Sequence, residues 1–429
     1  MPAVSKSAAE FFAENMNIAG FGNPYKALYT SIRELVENGL DAAEEIGVLP
    51  EIKVRLRRLS KEELSRIIGV TEEIQRRIQE YLQDLAKARK GKKIEEEEEE
   101  TGNVEIFELI VEDNGSGMAY KEIPFLMGQV LTSTKYELRQ QRGRFGLGGK
   151  MVLIYSIKET GTPIEIWSKR PEDNFVSHYI LTIDLQKNEP IVLLKERIAK
   201  NKFRDPWGKK LEHGTIIKVY ILGDWKRAKK YVYDYFKLMA VITPYATFVF
   251  EDPDGNVIIY ERVTKEMPPA PKPVKYHPQG IDTQILRSLL DQTKARTIKE
   301  FFLKEFQGVT SKLVDEFLSI IGIDPKTPIE EVRNNRKLIA SIVEVARNFK
   351  FRSPKASALS PIGPKLLEEG IRKIFEPEFI YVIQRKPVSY MGHPMIVEIG
   401  VAYGGRVPTG INLYRFANRV PLLHKEKSD

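Results

Sequence analysis

The stretch "IRELVENGLDAA", residues 32–43, carries three oxygen-bearing side chains, Glu34, Asn38 and Asp41, on one polar stripe. An amphipathic helix ordinarily turns a mixture of Lys and Glu to water there. At about 100° per residue the three fall within an arc of roughly 60°, while Leu28, Ile32, Leu35, Val36, Ala43 and Ile46 gather on the other side. Such a stripe is either a solvated face or an oxygen-rich wall facing a ligand, and the helix alone supports both. Glu37 lies on the flank of the stripe, about 60° from Glu34.

Two later segments weigh on that choice. "EIFELIVEDNGSGM" is a β-rich run that stops at Asp113-Asn114-Gly115-Ser116-Gly117. A plain turn after a strand explains it; so does an acidic side chain at a strand end, with Gly115 and Gly117 letting the backbone approach a ligand. "RGRFGLGGKM", residues 142–151, then sets Gly143, Gly146, Gly148 and Gly149 ahead of Lys150 and an apolar, helix-like run from Met151 to Ile157. Backbone N–H groups of such a loop, with a helix N-terminus and a lysine, suit phosphate. The segment is not a Walker loop, because Arg144 stands where that motif needs its first glycine and Met151 where it needs Ser or Thr. It is not a dinucleotide fingerprint either, since the glycines run G-x-x-G-x-G.

The elements that must hold these residues follow from local signals. Asn23 can cap the first long helix, Pro24 suits its first turn and Gly47 can end it, so the helix is predicted over about 24–46. Strands are predicted near 51–56 and 105–112, with more from 163 to 219, giving an α+β protein. Between the first two strands, residues 58–103 repeat apolar residues at helical spacing and end in the glutamate run 95–100. They are expected to form a helical surface insertion with a solvated acidic tail, the other reading being a specific binding arm. "TFVFEDPDGNVIIYERV" is a hairpin around Pro-Asp-Gly; its Asp252 and Asp254 fit the turn, or a DxD pair for Mg²⁺. "TKEMPPAPKPVKYHPQG", residues 264–280, is a Pro-rich linker. Helical patterns follow to about 351, and strand patterns return in "HPMIVEIGVAYGG" and "INLYRFANRVPLL".

The chain has 429 residues, 42% of them apolar, and no apolar run long enough to span a bilayer. Its start lacks a basic region followed by an apolar core, which predicts a cytoplasmic protein that does not meet a membrane. With no cysteine, disulfides, thiol nucleophiles and cysteine-held zinc are excluded, and five scattered histidines make no metal cluster. The 67 Lys and Arg outnumber 59 Asp and Glu, which permits an anionic partner such as nucleic acid. The Lys-rich "WKRAKKYVYDYFK" is either part of such a face or a solvated helix.

Taken in order, the Glu/Asn helix, the Asp-x-Gly-x-Gly turn, the Gly-rich loop and "HGT" at residues 213–215 resemble the GHKL (Bergerat) ATPase fold of gyrase, heat-shock chaperones, histidine kinases and mismatch-repair ATPases. "AGFGNPYKALYTSIRELVENGLDAAE", "GQVLTSTKY", "RGRFGLGGK", "TPYATFVFEDPDGN", "YHPQGID", "FRSPKASALSPIG" and "GHPMIVEIGVAYGG" together resemble the B subunits of archaeal DNA topoisomerase VI. That resemblance implies roles. Glu34 would be the general base that activates water, Asn38 would ligate Mg²⁺, and Asp41 would brace the site. Asp113 would accept a hydrogen bond from the adenine amino group, with Gly117 and Thr215 beside it. Thr134, Lys135 and the loop of Gly143, Arg144, Phe145, Gly146, Leu147, Gly148, Gly149 and Lys150 would hold the phosphates of ATP.

The resemblance also implies an ATP-binding domain over 1–263, a linker over 264–280, a helix-two-turns-helix domain over 281–356 and part of a transducer domain over 357–429. ATP would dimerise the protein and gate double-stranded DNA, while a separate A subunit cleaves it within an A2B2 heterotetramer. The alternative from another class is a chaperone-like or mismatch-repair GHKL clamp. The family's transducer continues into further strands, a long helix and a lysine that reaches the γ-phosphate, and "LLHKEKSD" supplies no match to that lysine. If nothing supplies that half, ATP binding is expected without normal coupling to strand passage.

Overall fold

The computed structural model describes residues 6–60, 62–63, 67, 104–131, 139–142 and 148–423. Most of the expected helical insertion, its acidic run included, and Thr134, Lys135 and residues 143–147 lie outside them.

Helices α1 (Ala8–Glu14) and α2 (Pro24–Glu45) open the chain, followed by strands β1 (Glu51–Arg58) and β2 (Val104–Asp113). Then come α3 (Ile123–Gly128), α4 (Gly148–Thr160), β3 (Ile164–Lys169), β4 (Phe175–Asp184), β5 (Glu189–Ala199), β6 (Gly214–Asp224), α5 (Trp225–Ile242), β7 (Thr247–Glu251) and β8 (Val257–Tyr260). The eight strands form one sheet in the order β5-β4-β3-β6-β2-β1-β7-β8. Every pairing in it is antiparallel except β1 with β7.

Helix α2 begins as its sequence demands. The Asn23 side chain accepts from the Lys26 N–H at 3.0 Å, satisfying a donor that the first turn leaves free. It ends in a left-handed Gly47, with φ +70°. There the Gly47 and Val48 N–H groups return to Glu44 and Ala43 carbonyls, the pairing of a Schellman stop. Leu28, Ile32, Leu35, Val36, Leu40 and Ala43 are buried against the sheet, α4 and α5. Ile46, expected on that face, is exposed, because the chain has left helical geometry there to close the cap. Helix α5 is a solvated helix on one side only: Lys226 and Lys230 are exposed, whereas Trp225, Val232, Tyr235, Phe236 and Met239 are core.

The β7–β8 turn accounts for the DxD pair. Asp252 accepts from the backbone N–H groups of Asp254 and Asn256 at 2.9 and 2.8 Å. Asp254 accepts from Trp225, Lys229 and Arg58, each at 2.9 Å. Both carboxylates hold the hairpin.

Five further helices, α6 (Thr283–Gln292), α7 (Ile298–Glu305), α8 (Ser311–Ile321), α9 (Ile329–Asn334) and α10 (Arg336–Asn348), share a separate core that includes Leu286, Phe301, Phe302, Phe317 and Ile342. Helix α11 (Pro364–Phe375) returns to the first core through Leu366, Leu367, Ile371 and Phe375. Strands β9 (Phe379–Gln384), β10 (Val388–Tyr390), β11 (His393–Met395), β12 (Glu398–Tyr403), β13 (Phe416–Ala417) and β14 (Val420–Pro421) pair two by two. The strand expected through "INLYRF" is reduced to the short β13–β14 hairpin, flanked by the Leu422 N–H bond to the Arg415 carbonyl, since residues 411–415 are not in strand conformation and Ile411 and Leu413 face solvent. Among the described residues no helix is long and apolar enough to cross a membrane.

Candidate active site

The polar stripe of α2 meets the N-terminus of α4. A β-carbon built on Gly148 would lie 1.8 Å from Oε2 of Glu34, and one on Gly149 would lie 3.4 Å from Nδ2 of Asn38. Glycine at these two positions therefore lets the helix start, with its outward N–H groups, come down on Glu34 and Asn38. Glu34 is partly buried and ion-paired with Arg33, whereas Asn38 is exposed. Lys150, in the first turn of α4, is only 4% exposed, and burial lowers its ammonium to about 8.

Glu37 points elsewhere. It is 5% exposed, with Arg33 Nε 3.8 Å away. Burial lifts its carboxyl to about 8, against the pull of Arg33. An enclosed acid held towards its protonated form is a poor candidate to take a proton from water, so Glu37 has surroundings unlike those of Glu34, one turn earlier and against Gly148.

The other side of the site is set by strand register. Asp113 of β2 stands opposite Thr215 of β6, which stands opposite Ser168 of β3. One row across three strands thus collects an acid and two hydroxyls. Asp113 Oδ1 accepts from the N–H of Gly115 at 2.8 Å and of Thr215 at 3.3 Å. Burial still lifts its carboxyl to about 7, those two donors opposing the rise. Ser168 Oγ lies 3.0 Å from Thr215 Oγ1 and accepts from the Met118 N–H at 2.8 Å. His213 Nδ1 donates to the Gly115 carbonyl at 2.9 Å, so the "HGT" segment clasps the Asp-Asn-Gly turn.

Glycine brings the two walls together. A β-carbon on Gly39 would lie 2.8 Å from Asp113 Cβ, and one on Gly115 would lie 2.5 Å from Ala42 Cβ. Gly117, at φ +65°, leaves no room for a β-carbon beside the Lys169 carbonyl. Asp41 accepts from Arg142 Nη1 at 2.8 Å, so it ties α2 to the residue before the glycine run. Of the site residues named from sequence, the structure sets Gly148 and Gly149, with Lys150 next in α4, against Glu34 and Asn38, and it pairs Asp113 with Thr215, with Gly117 in the turn that follows; the rest lie outside the described residues. Two contributors were missed. Gly39 had a usable signal, because a glycine inside a helix costs about 1 kcal/mol and invites a packing reason. Ser168, in the ordinary strand "IEIWSK", had none.

Residues 354–429 match the family model described as the transducer of the topoisomerase VI B subunit. The B subunit of type 2 DNA topoisomerase 6 from Metallosphaera sedula is 40% identical over 432 residues, spanning 99% of this chain and 71% of the relative. The chain belongs to the B-subunit family of type 2 DNA topoisomerase 6. Its relatives from Saccharolobus islandicus and Saccharolobus solfataricus are each 38% identical over 429 residues, with the same two shares. Membership makes this a subunit of a type II DNA topoisomerase and decides against a chaperone or mismatch-repair clamp. Among solved structures, the ATPase region of Saccharomyces cerevisiae topoisomerase II shares 12% identity at a TM-score of 0.35, over 60% of this chain and 61% of that one. The Aquifex aeolicus MutL ATPase domain complexed with ADP shares 10% at 0.28, over 61% and 66%. Both likenesses are too distant to define a shared fold.

Proposed function

We propose that this protein binds ATP between the α2 stripe and the Asp113 row and hydrolyses it. The observation that carries the reading is the seating of Gly148 and Gly149 on Glu34 and Asn38, which sets a helix start suited to phosphate against a carboxylate and a side-chain amide. Asp113 accepts from the adenine amino group, beside Gly117 and Thr215. Phosphates are held by Thr134, Lys135, Gly143, Arg144, Phe145, Gly146, Leu147, Gly148, Gly149 and Lys150. Glu34, close to the α4 start, takes the proton of the attacking water.

The donor set fits magnesium arriving with the nucleotide. Among the described residues no group of three or more His, Cys, Asp or Glu could hold a metal alone. Asn38 is exposed beside Gly149 and offers one hard oxygen to an ion that takes its other ligands from phosphate and water. When bound, that ion neutralises phosphate charge.

The wider assignments rest on family membership. Residues 1–263 form the ATP-binding domain, 264–280 the linker, 281–356 the helix-two-turns-helix domain and 357–429 transducer; the separate core of α6 to α10 supports the third. ATP binding dimerises the protein around double-stranded DNA, an A subunit cleaves the DNA within an A2B2 assembly, and the enzyme works in the cytoplasm. The deciding experiment is Glu34→Ala: ATP binding should persist while hydrolysis is lost. Hydrolysis at the wild-type rate would remove Glu34 as the base.

A further inference from the structure

The β13–β14 hairpin is closed by two residues. Phe416 pairs with Pro421 and Ala417 with Val420, so Asn418 and Arg419 make the turn, both at positive φ, 51° and 64°. Two-residue hairpins favour this left-handed turn, with glycine at the second place. Here an arginine occupies it against backbone preference, and a non-glycine residue persists there only when its surroundings over-determine it.

Those surroundings are a buried ionic cluster. Arg419 is 9% exposed; its Nη1 donates to the Tyr245 hydroxyl at 2.9 Å and its Nη2 lies 3.1 Å from Glu44 Oε2. The Tyr245 hydroxyl in turn donates to Glu44 Oε1 at 2.8 Å. Arg142 Nη2 donates to the same Oε1 at 2.6 Å, and its Nη1 donates to Asp41. Against the upward push of burial, Arg142 and Arg419 hold the Glu44 carboxyl below its usual range. These charges offset one another, with Glu398 also acting on Arg419 and Glu37 on Arg142, and removing one weakens the compensation of a buried charge. The cluster joins three parts of the chain: α2 at Asp41 and Glu44, the residue before the glycine run at Arg142, and the transducer-family segment at Arg419.

We infer that Arg419 is a positioning residue for the nucleotide site: by holding Glu44, it fixes the Glu44–Arg142 contact on α2, the helix that carries Glu34 and Asn38, while the β13–β14 turn is docked. The inference rests on the ATP-binding reading above. The C-terminal segment thereby acts on nucleotide affinity without touching nucleotide.

The test is equilibrium binding of a non-hydrolysable ATP analogue with Mg²⁺ to the 429-residue chain, with thermal unfolding measured alongside. The variants are Arg419→Gly, Arg419→Lys, Glu44→Gln and the Arg419→Gly/Glu44→Gln double. Glycine is the residue the turn prefers, so the hairpin backbone is kept; lysine keeps the buried charge and guards against a folding failure. Arg419→Gly should weaken the analogue roughly tenfold, Arg419→Lys less, and the double variant no more than about twofold beyond the weaker-binding single. Folded Arg419 variants that bind as wild type, or a double variant whose losses multiply, would overturn the inference while leaving the ATP reading intact. A wild-type chain that fails to bind the analogue would overturn the ATP reading itself and this inference with it.

Discussion

Glu34 and Gly148 share a space that admits only one side chain: a β-carbon at position 148 would stand 1.8 Å from the Glu34 carboxylate. The obstructed atom is the free end of a flexible side chain, so Gly148→Ala should push the carboxylate aside instead of unfolding the protein. ATP turnover should fall about 10²-fold or more, the scale set by a displaced general base, with the melting temperature little changed. A variant that melts far lower and turns over normally per folded molecule would contradict this.

Glu34 and Glu37 are separable by substitution. Burial keeps Glu37 at about 8 and hence neutral at pH 7, so Glu37→Gln copies its protonated form and should leave turnover within about threefold of wild type. Glu34→Ala should cost about 10² to 10⁴ in turnover with binding retained. Comparing the two variants in one steady-state assay, with analogue binding as the control, checks both.

Nucleotide affinity should peak in a narrow pH range. Asp113, lifted to about 7 by burial, accepts from an amino group better once ionised, so affinity should rise as pH passes upward through about 7. Lys150, lowered to about 8 by burial, loses its charge as pH rises through about 8, so affinity for phosphates should then fall. Dissociation constants measured from pH 6 to 9 would trace this shape. Lys150→Met should abolish the alkaline limb and Asp113→Asn the acid limb.

The same carboxyl links stability to pH. Its folded-state value, about 7, exceeds the unfolded value of about 3.9, so the folded chain holds this proton more tightly. That contribution is complete below about pH 4 and is lost as pH rises through about 7. Asp113→Asn keeps an oxygen that can accept from the Gly115 and Thr215 N–H groups. It should therefore melt above wild type at pH 8, with the gap closing towards pH 5, and should bind ATP poorly. Calorimetry at the two pH values decides it.

What was readable in advance divides by range. The cap at Asn23, the stop at Gly47 and the stripe of Glu34, Asn38 and Asp41 are properties of one helix, and periodicity with turn chemistry exposed them. The Asp113 turn was visible as a local stop to a strand pattern, whereas the "HGT" segment drew notice only through the family resemblance. Ser168 was not, because its place beside Thr215 comes from the pairing of β3 with β6, and one strand's alternation does not specify its neighbour's register. Arg419 was hidden for a similar reason: its charge and its left-handed turn acquire meaning only against Glu44 and Tyr245, which are distant in sequence. Asp252 and Asp254 are turn residues, as their Pro-Asp-Gly setting suggested, since donors in and around the turn saturate them.

The pairing of β1 with β7 has a consequence for how the pocket comes into being. These parallel neighbours are joined by contacts such as Arg55 with Glu251, 196 positions apart, so closing the sheet at this point must overcome the entropy of a very long loop. On a ribosome, α2 and the Asp113 turn emerge long before β7 does, and until then β1 is an open edge with unpaired backbone groups. Strand β1 is therefore made early and paired on its second side much later, which makes that edge a natural place for a chaperone to hold the nascent protein.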